Sequence, residues 1–202
     1  YIVAEDIVRA DRLGWPQTRE RYFMTALRED VATGPLPEIR ERASNDVMWA
    51  IADLMDLERA LEPFDTAPVP SPENRKRIDW LFEHDAHNLD NSERPECHRD
   101  GTTYTAVYGR MHADRPAPTI TTGIGTPGQG RFIHPTRPRL VTPHEAARIQ
   151  GFPDGYGFLE DGTTAKRKDL AKWIGDAVPA PMGYEMARRA LAALGPGQDA
   201  PS

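Results

Sequence analysis

Gln17, Arg19 and Arg21 occupy alternate positions in the segment from Gly14 to Phe23, which reads Gly-Trp-Pro-Gln-Thr-Arg-Glu-Arg-Tyr-Phe. Side chains on a strand alternate with period two, so Arg19 and Arg21 project to the same side if this stretch is extended. A guanidinium keeps its charge and donates through a rigid planar fork. Two of them in one pocket would steady negative charge that builds during a reaction, whereas two on an open strand would be solvated surface residues. A second group of donors lies far downstream. Arg110, Arg115, Thr121, Thr122, Gln129 and Arg131 surround the glycine-rich run Gly123–Arg131 (GIGTPGQGR). Glycines let a backbone approach a ligand closely, and these side chains can donate to base edges or phosphates.

The charge pattern bears on that choice. The net charge of −6 argues against a general nucleic-acid binder, but it is unevenly spread. Residues 101–150 hold six arginines against Asp114 and Glu145, while residues 29–100 carry a net charge of −10. A local arginine-bearing stretch suits contact with phosphates, and an ordinary solvated loop fits the charge equally well. Metal chemistry has little support. The single cysteine, Cys97, stands beside His98 with His84 and His87 upstream, without the regular spacing of four ligands that zinc requires. The same count excludes an internal disulfide and suggests a reducing compartment.

Several elements must position these groups. Residues 1–8 and 21–27 read as strands around the turn at Gly14-Trp15-Pro16. A helix is predicted from about Asn45 to Glu62, capped by Ser44, with Val47, Ile51, Leu54, Met55 and Leu61 as its apolar face. Residues 63–72 contain four prolines and form a semi-rigid connector. Ser71-Pro72 then reads as an N-cap and first helical residue, opening a helix that buries Ile78, Leu81 and Phe82. Residues 104–108 and 118–122 read as strands. Thr142-Pro-His-Glu145 has capping-box spacing, predicting a helix to Gln150 that stops at Gly151. Further helices are expected over about 164–173 and 180–194, the last with Met182, Met186, Ala190 and Leu191 on one face. The tail from 196 to 202 reads as disordered.

No run of 18 apolar residues exists, so no membrane span is expected. The acidic, alternating N-terminus does not read as a signal peptide. Tyr1 falls inside an expected strand, as in a piece of a longer polypeptide.

Three patches carry a family resemblance: the Gln17-x-Arg19-x-Arg21 segment, Glu145–Asp154 (EAARIQGFPD) and Ile174–Pro179 (IGDAVP). In this order they resemble the C-terminal part of DNA (cytosine-5) methyltransferases. The resemblance implies an α/β fold: the C-terminal portion of a Rossmann-like, S-adenosylmethionine-dependent methyltransferase domain plus a mixed α+β target-recognition domain. Residues 1–28 would belong to the catalytic domain, 29–140 to the recognition domain, and 141–195 to helices returning to the catalytic domain. In this family a cysteine thiolate adds to carbon 6 of a flipped cytosine before S-adenosyl-L-methionine gives up its methyl group. Arg21 would then approach the flipped base and Arg19 would support the DNA backbone and the site, with Gln17 the third catalytic residue of the motif. Phe152, Asp176, Ala177 and Val178 would lie at the cofactor, with Asp176 where the family usually has asparagine. That change keeps an acceptor oxygen, loses the amide donor and adds a charge. Arg110, Arg115, Thr121, Thr122, Gln129 and Arg131 would face duplex DNA.

The family's phenylalanine-glycine loop, Pro-Cys nucleophile segment and Glu-Asn-Val segment have no match here. Cys97 lacks the Pro-Cys-Gln context and cannot replace the nucleophile. The resemblance therefore implies a partner, an N-terminal catalytic half on the same chain or a separate subunit, without which this segment is inactive. The rival expectation is a catalytically inactive, sequence-specific DNA-binding or regulatory module. Such enzymes act in the bacterial or phage-type cytoplasm at the nucleoid, often within restriction or phage-defence systems.

Overall fold

A computed structural model describes residues 1–56, 61–100, 106–158 and 165–194. Strands β1 (Ile2–Arg9) and β2 (Glu20–Leu27) form an antiparallel hairpin in which Val8 faces Arg21 and Arg9 faces Glu20. The turn uses Gly14 at φ 84°, in the left-handed region that glycine enters without strain. One face of the hairpin is covered: Val8, Ala10 and Phe23 pack with Met182 and Met186 of the last helix. The other presents Val3, Ile7, Tyr22 and Met24 to solvent. A two-stranded ribbon is marginal by itself, and this one is held by its packing on the helix.

Helix α1 (Val47–Ile51) is shorter than the sequence suggests and passes into a 3₁₀ turn over Ala52–Asp56. Its cap is Asp46, whose side chain accepts from the Trp49 backbone N–H, rather than Ser44. Val47, Ile51 and Leu54 are buried as expected, but Leu61 is exposed. Helix α2 (Pro72–Glu83) starts where Ser71-Pro72 predicts and buries Ile78 and Leu81. Between α2 and residue 142 the described backbone forms no ladder, only single bridges such as Gln17 with Ala117 and Arg110 with Ile133. The strand expected over 118–122 is absent for a simple reason. Pro116 and Pro118 have no N–H to give to a neighbour, so pairing cannot propagate. The strand expected over 104–108 and the tail from 196 lie wholly or partly outside the described residues.

Helix α3 (Pro143–Gln150) has the anticipated capping box, and Gly151 ends it at φ 101°. Helix α4 (Arg167–Asp176) runs three residues beyond its expected end, so Ile174, Gly175 and Asp176 form its last turn. Helix α5 (Ala180–Leu194) buries Met182, Glu185, Met186, Arg189 and Ala193, leaving Leu191 exposed. Two charged side chains displace the expected apolar stripe because each has partners: Arg189 reaches Asp6 at 2.6 Å, and Glu185 accepts from the Arg40 backbone N–H at 2.9 Å. The main core joins α1 to α4 with Met111, Ile120, Phe132 and Ile133 of the irregular segment.

Glu145 locks α3 in place. Beyond the capping box it accepts a two-pronged ion pair from Arg139 at 2.6 and 2.7 Å. His134 Nδ1 accepts from the backbone N–H groups of Thr136 and Arg137, which puts its proton on Nε2, 3.5 Å from the same carboxylate. Burial alone would push the Glu145 carboxyl up, but the two hydrogen bonds from Arg139, with His134 Nε2 close by, prevail and bring it to about 2. A depressed carboxyl contributes stability that is present above its unfolded value and is lost as pH falls through the folded one. The chain should therefore lose about 3 kcal/mol from this group between roughly pH 5 and 2. Urea unfolding across that range checks it: Glu145→Gln should remove this part of the slope.

Candidate active site

Three remote segments converge on one buried junction. Arg19, just ahead of β2, is 2 % exposed. It donates to the Ile120 carbonyl at 2.6 Å and to the Gly175 carbonyl, in the last turn of α4, at 3.0 Å. Gln17, fully buried, donates to the Ile149 carbonyl at 3.0 Å and to Gln150 Oε1 at 2.9 Å. Gln150 in turn donates to the carbonyls of Ile174 and Ala177, at 2.8 and 2.6 Å. A relay of side-chain amides thus fastens the hairpin loop to the ends of α3 and α4. Trp15 adds a further bond from its indole to the Ile149 carbonyl. At Gly175 the segments come so close that a Cβ would sit 2.3 Å from the Thr122 backbone nitrogen.

Arg21 lies next to Arg19 but is only half-buried. One nitrogen donates to the Glu20 carbonyl at 2.7 Å, and no other hydrogen bond of the Arg21 side chain exists among the described residues. Burial, then the charge of Arg21, hold the Arg19 guanidinium down at about 10, with Asp176 opposing. Two cations are therefore kept side by side, Arg19 buried and Arg21 half-buried. Such a pair is poised to meet a negative charge. Among the described residues, Arg19 Nε and Gln17 Oε1, both buried, have no hydrogen-bond partner.

Beside the junction opens a cleft of about 570 Å³ lined by Phe152, Tyr156, Gly157, Phe158, Trp173, Asp176 and Ala177. Phe152, Tyr156 and Phe158 contact one another edge-on or tilted, with centroids 4.8 to 5.0 Å apart. The cleft collects three of the four residues the sequence assigns to the cofactor. Val178, past the end of α4, is exposed and is not among the lining residues. Aromatic faces with one carboxylate suit a ligand that has a planar ring and a positive group. Lys172 pairs with the Asp176 carboxylate at its rim. Tyr156, Phe158 and Trp173 went unassigned in the sequence, although three aromatics within seven residues after Gly151 were a visible signal.

The donors expected to face DNA divide into two groups. Arg110 is spent internally, on the Pro135 carbonyl (2.8 Å), on Asp85 (3.0 Å) and over the Phe82 ring. Arg131 donates to the carbonyls of His87 and Arg110 at 2.7 and 2.8 Å and also to Asn88. These two arginines brace the irregular segment. Arg115, Thr122 and Gln129 are exposed, and Thr121 is half-buried against Gly175. Cys97 is exposed and free, and no cluster of three metal-ligating side chains occurs among the described residues.

This arrangement fits a methyltransferase-type α/β fold. A methyltransferase from Entamoeba histolytica, EhMeth, superposes with a TM-score of 0.52 and 15% identity, over 93% of this chain and 52% of that one. The family model for C-5 cytosine-specific DNA methylases matches residues 1–192, and the chain belongs to that family. Type II methyltransferase M1.BsuMI of Bacillus subtilis (strain 168) is 44% identical over 193 residues, 95% of this chain and 44% of the relative. Type II methylase M.HgiDII of Herpetosiphon aurantiacus is 33% identical over 205 residues, 93% of this chain and 55% of the relative. The chain spans about half the length of these two relatives. No helix among the described residues is long and apolar enough to cross a membrane.

Proposed function

We propose that the chain is the C-terminal part of a DNA (cytosine-5) methyltransferase, acting on a specific sequence of duplex DNA in the cytoplasm. Residues 29–140 recognise the target. Residues 1–28 and 141–195 complete the catalytic domain, whose N-terminal half supplies the thiolate nucleophile. The observation that carries this reading is the paired Arg19 and Arg21 at the junction with Gly175, next to the Asp176 cleft. Arg19 sets the geometry through two carbonyls, and Arg21, with donors to spare, meets the O2 edge of an extruded cytosine. When bound, S-adenosyl-L-methionine supplies an electrophilic methyl group. Phe152, Trp173 and Ala177 would hold its body, and Asp176 would exchange Lys172 for its ammonium group. The exposed apolar face of Val3, Ile7, Tyr22 and Met24 supports a covering catalytic half, since such a patch is costly in water.

The test is transfer of a labelled methyl group from S-adenosylmethionine to mixed-sequence duplex DNA. The chain alone should transfer none. Mixed with the N-terminal half of the Bacillus relative, it should methylate cytosine at carbon 5. If the mixture associates but stays inactive, the chain is a DNA-binding module without catalysis.

A further inference from the structure

His87 and His112 stack face to face, with ring centroids 3.7 Å apart and planes 23° from parallel. They come from the turn after α2 and from the segment leading to Arg115. His87 Nδ1 lies 3.3 Å from the Arg110 carbonyl. A carbonyl only accepts, so Nδ1 carries the proton and Nε2 is a bare acceptor. Arg131 reaches the His87 carbonyl beside the stack. Arg115 is exposed; its backbone carbonyl accepts from the Val47 N–H at 2.9 Å, and its side chain makes no hydrogen bond or ion pair among the described residues. Asp114 is the acidic residue acting on His112. A neutral imidazole welcomes one imidazolium across its face, but two imidazoliums in contact repel. The stack can hold one added proton.

We propose that the His87–His112 stack and Arg115 form a contact site for a backbone phosphate of duplex DNA, and that binding there takes up one proton. The inference rests on reading residues 29–140 as the recognition domain. In the free chain burial, followed by His87, Arg115 and Arg131, pushes the His112 imidazole below its usual range, with Asp114 opposing. A phosphate adds negative charge to that of Asp114 and favours the protonated stack, so affinity must rise as pH falls through the imidazole range, ~6.5.

The measurement is fluorescence anisotropy of a labelled mixed-sequence duplex with the 202-residue chain, from pH 5.5 to 8.5 at fixed ionic strength. His112→Phe keeps an aromatic partner for His87 but cannot take the proton. It should match the native chain at pH 8.5 and bind about tenfold more weakly at pH 5.5. Arg115→Ala should weaken binding at every pH and lower the salt slope by about one. Circular dichroism checks folding, and His87→Phe replaces His112→Phe if the latter unfolds. Parallel pH curves for the native chain and the phenylalanine variant would overturn the site while leaving DNA recognition standing. Failure to bind duplex at any pH would overturn both.

Discussion

Gly175→Ala should cost the chain about 3 kcal/mol, the upper end for overpacking a rigid site. The added methyl would lie 2.3 Å from the Thr122 nitrogen, 2.4 Å from the Thr121 carbonyl carbon and 2.7 Å from the Thr121 oxygen. All three are backbone atoms, so no side chain can swing aside. The segment at Thr121 and Thr122 must retreat from α4, and retreat stretches the bonds by which Arg19 spans Ile120 and Gly175. Alanine's better helix propensity, at most ~1 kcal/mol, does not offset this. Gly183 in α5 is the control. A Cβ there meets nothing within 4 Å, so Gly183→Ala should be neutral or stabilising by up to ~1 kcal/mol. Urea midpoints of the two variants should move in opposite directions. Equal shifts would mean that the close approach at Gly175 is not tight in solution.

Gly175 also marks where the sequence stops being readable. Features set by neighbours in the chain were legible: the Thr142–Glu145 box, Ser71-Pro72, the Gly151 stop and the hairpin around Gly14. So was the convergence of Gln17, Arg19, Phe152 and Asp176 on one region, because three local patches each carried a recognisable pattern. What escaped is set by residues far apart in sequence. Arg110 and Arg131 look like any exposed arginines until carbonyls at Pro135 and His87 fold under them. Leu191 fits an apolar helical face, yet the helix turns Arg189 and Glu185 inward because Asp6 and the Arg40 backbone await them. Charged groups bury when partners exist, and partners 100 or more residues away leave no local trace. The strand expected at 118–122 is absent for a local reason, the prolines at 116 and 118, which lack the N–H that pairing needs.

The sharpest consequence of the junction is that its two arginines should fail in different ways. Arg19→Ala leaves the Ile120 and Gly175 carbonyls buried without a donor, each worth about 1–3 kcal/mol. The chain should lose about 3 kcal/mol or more, seen as a lower urea midpoint with or without DNA. Arg19→Lys should restore only part of this, since one ammonium cannot span two carbonyls as the fork does. Arg21→Ala removes a single bond to its neighbour's carbonyl at a half-exposed position and should stay within ~0.5 kcal/mol of native. With the N-terminal half added, however, Arg21→Ala should slow methyl transfer about 10²–10³-fold, the usual loss when one donor to a developing anion is removed. Burial is the main cause of the lowered Arg19 value, and the neighbouring Arg21 charge adds to it, so a second cation there is unfavourable on its own account. Relief of that repulsion should make Arg21→Ala no less stable, and only a catalytic use then explains the residue. If Arg21→Ala instead unfolds the chain while transfer per folded molecule is unchanged, both arginines are structural and the proposed contact of Arg21 with cytosine falls.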